Sequence, residues 1–321
     1  MIHLRHINKS YGRHQVLHEL SLQLRKHEIH MLMGSNGAGK TTVARIIAGL
    51  ETPDSGTVEG TGNRRTMVMQ QDFVVWPELT VSQNMSIAGD QKQARHWLEK
   101  SELAGVAKTK AGQLSHGQKQ RLSIARAMAF QPELLVIDEA FAYLDPARTA
   151  EAETWIQEAL ADDANPLVSV LWISQSSREA LGVAHRLSIL AHGSIIDTGP
   201  PGQIYLAPTT LTAARLTGAL SSLTHAEWQA CRSLITLPVG TDPPMPGEIL
   251  TFRPERARLT PCAPGETGFS LLRSHFHPHG YVSHLSHAGT RPLQALTPEP
   301  PDPASTYRLI LTHTPCILPQ A

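Results

Sequence analysis

Neither charge dominates the 321 residues: Lys and Arg together number 28, and so do Asp and Glu. That balance argues against the basic surface that nucleic acid selects and against a polybasic segment for anionic lipid. Cysteine is scarce as well. Cys231, Cys262 and Cys316 are scattered and odd in number, with no metal-like spacing and no sign of a disulfide framework, a usage that suits a reducing cytosol. The first residues, Met1-Ile2-His3-Leu4-Arg5-His6, hold no apolar targeting segment. Nor does any run reach the roughly 18 apolar residues a membrane-spanning helix requires. The expectation is a soluble chain that, if it works at a membrane, docks onto something that spans it. Its length allows two domains of about 100–200 residues each.

What is present lies in a few short stretches. Gly34-Ser35-Asn36-Gly37-Ala38-Gly39-Lys40-Thr41-Thr42 fits the pattern G-x-x-x-x-G-K-[ST]. Ile29 to Met33 before it is a mostly apolar run suited to a buried strand. Val43, Ile46, Ile47 and Leu50 after it fall at helical spacing. Strand, glycine-rich turn and helix N-terminus together make an anion site, because the glycines let backbone N–H groups point inward and the helix dipole favours negative charge. Lys40 would reach the β- and γ-phosphates of a nucleoside triphosphate, and the Thr41 hydroxyl would ligate Mg²⁺.

Residues 1 to 30 alternate apolar and polar (Ile2, Leu4; Leu20, Leu22, Leu24), which predicts antiparallel strands with Tyr11-Gly12 in the turn. On position alone, Tyr11 can either stack on an adenine or pack in the sheet. A short strand follows at Thr66 to Met69, and residues 78 to 110 read as helices with polar faces. Ser115 and Gln118 fit a capping box at the start of a helix whose inner face carries Leu122, Ala125, Met128 and Ala129. Leu134 to Ile137 is a buried-strand run that ends in Asp138-Glu139. Carboxylates at the C-terminal end of a parallel strand face the crevice where ligands of α/β sheets bind. There Asp138 can hold Mg²⁺, and Glu139 can orient or deprotonate a water. Further strands are expected at 168–173, ending in Ser174-Gln175, and at Leu187 to Leu190. The alternation over residues 28 to 195 predicts an α/β fold with a mainly parallel sheet and helices on both faces.

Composition shifts after about residue 236. Fifteen of the 23 prolines lie in residues 238 to 321, and only short strand-like runs remain, such as Glu248 to Arg253 and Tyr307 to Thr312. This reads as a second, small β-rich domain. Its five histidines, His275, His277, His279, His284 and His287, would share a face where they alternate on a strand, although prolines and glycines interrupt them.

The order of these motifs resembles the ATP-binding subunit of ABC transporters over about residues 1 to 218. Gly34 to Thr42 is similar to the Walker A loop, Gln71 and the segment to Val81 to the Q-loop, Leu114 to Arg121 to the LSGGQ signature, and Leu134 to Glu139 to the Walker B strand. Leu144-Asp145 fits the D-loop, and Tyr11 the adenine-stacking aromatic. The resemblance implies a P-loop NTPase core in which two subunits close head to tail over two ATP molecules. The P-loop residues of one chain would then meet Ser115, Gly117 and Gln118 of the other, with Asp145 nearby. Gln71 would sense the γ-phosphate and join Thr41 and Asp138 around Mg²⁺. Gly193 to Pro208 and Phe252-Arg253-Pro254-Glu255 further resemble importer ATPases for polyamines, ferric iron, sulfate, molybdate or sugars, which carry a C-terminal TOBE-like, OB-like barrel. The implied organisation is residues 1–218, a linker at 219–246, and 247–321. The implied partners are a second, identical subunit, an integral membrane permease and, indirectly, an extracytoplasmic solute-binding protein, with no nucleic acid. The implied location is peripheral, on the cytoplasmic face of the membrane.

Four positions depart from that family pattern. His116 replaces the first signature glycine, Ala140 the usual proline after the catalytic acid, and His27 a glycine before Glu28. The fourth is Gln175, which stands where the family places its switch histidine. A glutamine amide can donate to a γ-phosphate but cannot carry charge or relay a proton. Slow hydrolysis is therefore expected, with Glu139, Gln175 and Gln71 as the catalytic set. The alternative is an ATP-triggered dimerisation module with little turnover. A soluble role on DNA or ribosomes fits less well, because one cassette without basic patches is present.

Overall fold

Period-two alternation near the N-terminus becomes an antiparallel hairpin, β1 (Ile2–Tyr11) and β2 (His14–Leu24), in the computed structural model of the chain. The structure describes residues 1–62, 64–70, 75–141, 146–162, 166–167, 169–263 and 265–319. Ile2, Leu4 and Ile7 of β1 and Leu17, Leu20, Leu22 and Leu24 of β2 turn inward and are buried. A third strand, β4 (Ser55–Glu59), completes this sheet in the order β2-β1-β4.

The second sheet of the first unit, Met1–Gly202, holds β3 (Glu28–Gly34), β5 (Thr66–Gln70), β6 (Leu134–Asp138), β7 (Ser169–Ile173), β8 (Arg186–Ala191) and β9 (Ser194–Gly199). Their order is β5-β6-β7-β3-β8-β9, parallel throughout except for β9 at the edge. A parallel strand covered on both faces must be apolar along its length, which is why Leu134 to Ile137 and Val170 to Ile173 are uninterrupted apolar runs, nearly all fully buried. The connecting helices are α1 (Lys40–Ile47), α2 (Val81–Ala88), α3 (Gln91–Lys100), α4 (His116–Ala129), α5 (Pro146–Ala161) and α6 (Ser177–Gly182). The strand order has a functional consequence. β6, β7 and β3 are neighbours and parallel, with Asp138 opposite Ile173 and Ile173 opposite Leu32. The residues that follow each strand therefore emerge at one edge of the sheet.

His27 is left-handed, at φ 56°, a conformation that costs a residue with a side chain about 1–2 kcal/mol. A glycine, which the resembled pattern has here, would adopt it without that cost. His116, by contrast, is the first residue of α4 with helical backbone, so its side chain fits without strain.

His30 sits inside β3, 1% exposed. Its Nε2 pairs with Ser188 Oγ at 2.8 Å, and Ser188 Oγ in turn with Thr198 Oγ1 at 2.8 Å. Burial, reinforced by the Arg186 guanidinium, pushes its pKa down to about 3. The folded state thus holds a neutral imidazole. The stability this contributes is complete above the unfolded value of about 6.5 and is lost as pH falls from there toward 3. At pH 5 the loss should be about 2 kcal/mol. Urea unfolding at pH 7.5 and pH 5 checks this: His30→Gln should show a smaller acid loss than the wild type by that amount.

The second unit, Gln203–Ala321, begins within α7 (Pro201–Leu206) and continues in α8 (Leu211–Leu216). It then adds β10 (Ser221–Thr224), α9 (His225–Cys231), β11 (Ile235–Thr236), β12 (Glu248–Phe252), β13 (Ala257–Pro261), β14 (Phe269–His277), β15 (Gly280–Ser286), β16 (Leu293–Thr297), β17 (Thr306–Leu311) and β18 (Cys316–Pro319). One sheet runs β10-β12-β18. The other runs β11-β17-β14-β15-β16, with β13 also on β17. Their shared core includes Leu223, Trp228, Leu250, Phe269, Leu285 and Leu309.

Two stretches singled out in the sequence meet here. Arg253, 4% exposed, donates to the carbonyls of Tyr205, Ala214 and Ala219 and to Thr217 Oγ1, and its guanidinium lies 4.2 Å from the centre of the Tyr205 ring. The Tyr205 hydroxyl donates to Glu255. A buried guanidinium needs its donors satisfied, and residues 205–219 supply the acceptors. They are thereby tied to the β-rich unit.

Candidate active site

The glycine-rich turn connects β3 to α1 as its pattern predicts. Gly39 caps the helix at φ 105°, and a Cβ there would lie 2.7 Å from Leu17 Cδ2 and 3.2 Å from the Val16 carbonyl oxygen. Only glycine meets both demands. α1 therefore starts with no side-chain cap, and its first N–H groups are left for an anion.

Lys40 is 6% exposed. Its Nζ donates to the carbonyls of Gly34 at 2.9 Å and Ser35 at 3.0 Å and lies 3.8 Å from Glu139 Oε1. Burial holds its pKa below the ordinary lysine value, against the pull of Glu139 and Asp138. A cation held by two carbonyls and one carboxylate can exchange those partners for phosphate oxygens.

Asp138 ends β6. Burial lifts its carboxyl above the usual range, opposed by a hydrogen bond from the Thr41 side chain, and Glu139 pushes it the same way as burial does. Thr41 and Asp138 therefore already touch. One hydroxyl and one carboxylate oxygen are hard donors, a partial set of the kind Mg²⁺ takes while keeping waters and phosphate oxygens as its other ligands. The residues fit that ion.

Glu139 is left-handed, at φ 53°, with its amide donating to Ile173 O at 3.1 Å. A non-glycine residue in that region costs of order 1–3 kcal/mol, and such strain concentrates at functional sites. Gln175, beyond the end of the neighbouring β7, spends its amide nitrogen twice: on Asn36 Oδ1 at 2.7 Å and on Glu139 Oε1 at 2.8 Å. It thus links the phosphate loop to the acid across three adjacent strands.

The cleft over the loop measures about 630 Å³. Asn36, Gly37, Gly39, Lys40, Thr41, Thr42, Asp138 and Glu139 line it, as the sequence predicts. His14, Val16, Arg45 and Gln70 line it too, and these were not anticipated. Arg45 was accessible to reasoning, because it lies four residues after Thr41 on α1 and so on the same helix face. His14 and Val16 depend on hairpin register, which spacing does not disclose. Gly34 and Ala38 are buried beneath the loop, and Ser35 is exposed on it.

Tyr11 does not line the cleft. It is 44% exposed, its side chain bonds Glu51, and Lys9 Nζ lies 5.6 Å from its ring centre. Ser115, Gly117 and Gln118 do not line it either. Ser115 and Gln118 close a reciprocal capping box, with Ser115 N donating to Gln118 Oε1 at 3.0 Å and Gln118 N to Ser115 Oγ at 3.3 Å. At Gly117 a Cβ would lie 2.9 Å from Arg148 Cζ, and Arg148 Nη1 donates to the Gly117 carbonyl at 3.4 Å. Gln71 and Asp145 lie outside the described residues.

Fold and site together define a P-loop NTPase core. A family model described as "ABC transporter" matches residues 17–142. The sulfate/thiosulfate import ATP-binding protein of Shewanella oneidensis is 33% identical, across 72% of this chain and 66% of its own length. That of Ralstonia nicotianae is 30% identical, across 84% and 80%. The spermidine/putrescine import ATP-binding protein of Thermobifida fusca is 29% identical, across 90% and 83%. A solved "Structure of ATP binding subunit of ABC transporter" shares the fold, with a TM-score of 0.58 over 68% of this chain and 95% of that one at 23% identity. The chain belongs to the ABC transporter family of ATP-binding proteins. It spans 66% and 62% of the length of the Shewanella oneidensis and Rhizobium meliloti relatives.

Proposed function

We propose that this chain is the ATP-hydrolysing subunit of an ABC import system and energises solute uptake through a partner membrane permease. The observation that carries the reading is the convergence of Lys40, Thr41, Asp138 and Glu139 on one cleft at the ends of β3 and β6. The import direction is supported by relatives whose names describe sulfate/thiosulfate and spermidine/putrescine import. No helix among the described residues is long and apolar enough to cross a membrane. That suits a peripheral subunit at the cytoplasmic face, paired with a second copy, a permease and an extracytoplasmic solute-binding protein.

The residues have separate tasks. Lys40 exchanges its two loop carbonyls for β- and γ-phosphate oxygens. Thr41 and Asp138, with Gln71, would hold Mg²⁺, which supplies neutralising charge on the phosphate oxygens when bound. Glu139 takes a proton from the water whose oxygen attacks the γ-phosphorus, while the bond from that phosphorus to the bridging oxygen breaks and ADP leaves with the electron pair. Gln175 orients Glu139 and Asn36 and donates toward the γ-phosphate. Ser115, Gly117 and Gln118 would act on the nucleotide of the opposing copy, as Asp145 and Tyr11 would around the closed site. The β-rich unit is assigned as a TOBE-like accessory domain.

A second reading rests on Gln175 itself. Both of its amide hydrogens are engaged, and an amide brings no proton relay, which favours a module that dimerises on ATP with little turnover. Proteoliposomes holding the permease and this chain separate the two. ATP-dependent solute uptake that stops with Lys40→Ala is expected for the transport motor. Uptake unaffected by that change would rule the motor out.

A further inference from the structure

The histidine-rich hairpin of the second unit has no part in nucleotide chemistry. Its register gathers the histidines. Arg273 pairs with His284 and His275 with Val282 between β14 and β15, and β16 sets Gln294 beside His284 and Leu296 beside Val282. Because side chains alternate along strands, Arg273, His275 and His277 project from the same face as Val282 and His284. That face opens on a cavity of about 690 Å³, completed by His279 of the turn and by Tyr205, Ala219, Pro254 and Glu255. Its size is that of small-molecule sites, and eight of its twelve lining residues are polar or charged, Arg273 and four histidines among them.

We propose that this cavity is a binding site for a small organic anion, held by Arg273 and the surrounding imidazoles and gripped more tightly as pH falls. Charge carries the inference. Arg273 sits opposite His284 on this face, and the His275 and His284 rings lie 5.6 Å apart. The one carboxylate facing the cavity, Glu255, accepts from the Tyr205 hydroxyl, whose pKa is pushed up to about 12 by burial and by Glu255. The Arg253 guanidinium lies 4.2 Å from the centre of that tyrosine's ring. His284 titrates below its ordinary value because burial, Arg273 and His275 all oppose another positive charge. An anion relieves that repulsion. Among the described residues no three His, Cys, Asp or Glu are placed to hold a metal ion; an imidazole can instead donate a hydrogen bond to an anion.

Titration calorimetry of the full chain with citrate, at pH 5.5 and pH 8.0, tests the site. Citrate should bind at least tenfold more tightly at pH 5.5. Arg273→Gln should weaken it at least tenfold at pH 5.5, and His275→Gln with His284→Gln should remove most of the pH dependence. All these side chains are at least partly exposed, so unfolding midpoints should stay unchanged. Lys40→Ala should leave citrate binding intact, which separates this cavity from the phosphate loop. No binding at millimolar citrate, binding indifferent to Arg273→Gln, equal affinity at the two pH values, or loss with Lys40→Ala would each overturn the proposal.

Discussion

Glu139→Gln should lower multiple-turnover phosphate release by about 10²- to 10⁴-fold, the usual worth of a positioned general base, while ATP binding stays within about twofold. The replacement is isosteric, so the left-handed backbone at φ 53° and its bond to Ile173 persist. Its amide oxygen still accepts from Gln175 as Glu139 Oε1 does at 2.8 Å. What disappears is the capacity to take a proton from water. Lys40, Thr41 and Asp138 are untouched, so nucleotide should still bind and accumulate unhydrolysed, and size-exclusion chromatography with ATP and Mg²⁺ should show a longer-lived dimer. Loss of nucleotide binding in parallel with turnover would mean instead that Glu139 chiefly supports the loop through Lys40, at 3.8 Å.

Gln175→His should act in the opposite direction and speed the chemical step. A charge-assisted hydrogen bond to the transferring phosphoryl is worth about 1.5–3 kcal/mol, which corresponds to roughly a 10- to 150-fold faster step. The resident amide recovers part of that, so the lower half of the range is expected. Its geometry explains the remaining deficit. The amide nitrogen divides its hydrogens between Asn36 and Glu139 and must release one of them to serve the phosphate. A protonated imidazole carries a full charge and can pass a proton on. Single-turnover phosphate release is the measurement to use, because it isolates chemistry from product release. An unchanged or slower rate would show that Gln175 is a fully adapted substitute and that hydrolysis is limited elsewhere.

Much of the site could be read in advance because it is local in the chain. A phosphate loop is one strand, one turn and one helix start, so pattern and setting identify it together. Asp138 and Glu139 were legible because an apolar run ending in two acids has few other uses, and Gln175 because it follows a similar run. What escaped was non-local. Tyr11 and His14 are paired across the β1–β2 turn, and that His14 and Val16 line the cleft depends on where the paired strands lie, which spacing does not disclose. The tie between Arg253 and the segment before it escaped for the same reason. Arg253 reaches back to carbonyls from Tyr205 to Ala219, a link no composition shift reveals. The histidines illustrate a partial success: shared-face alternation was anticipated, but the neighbours that close a cavity around them come from four other segments.

The central claim is that the cleft hydrolyses ATP, and phosphate released per chain by the purified wild type, with Mg²⁺ and its permease, tests it most directly. The account predicts slow release that continues well past one phosphate per chain and exceeds the Glu139→Gln background at least a hundredfold. Release that stops at or below one phosphate per chain, at the same level in wild type and Glu139→Gln, would contradict it and leave ATP-triggered dimerisation as the function.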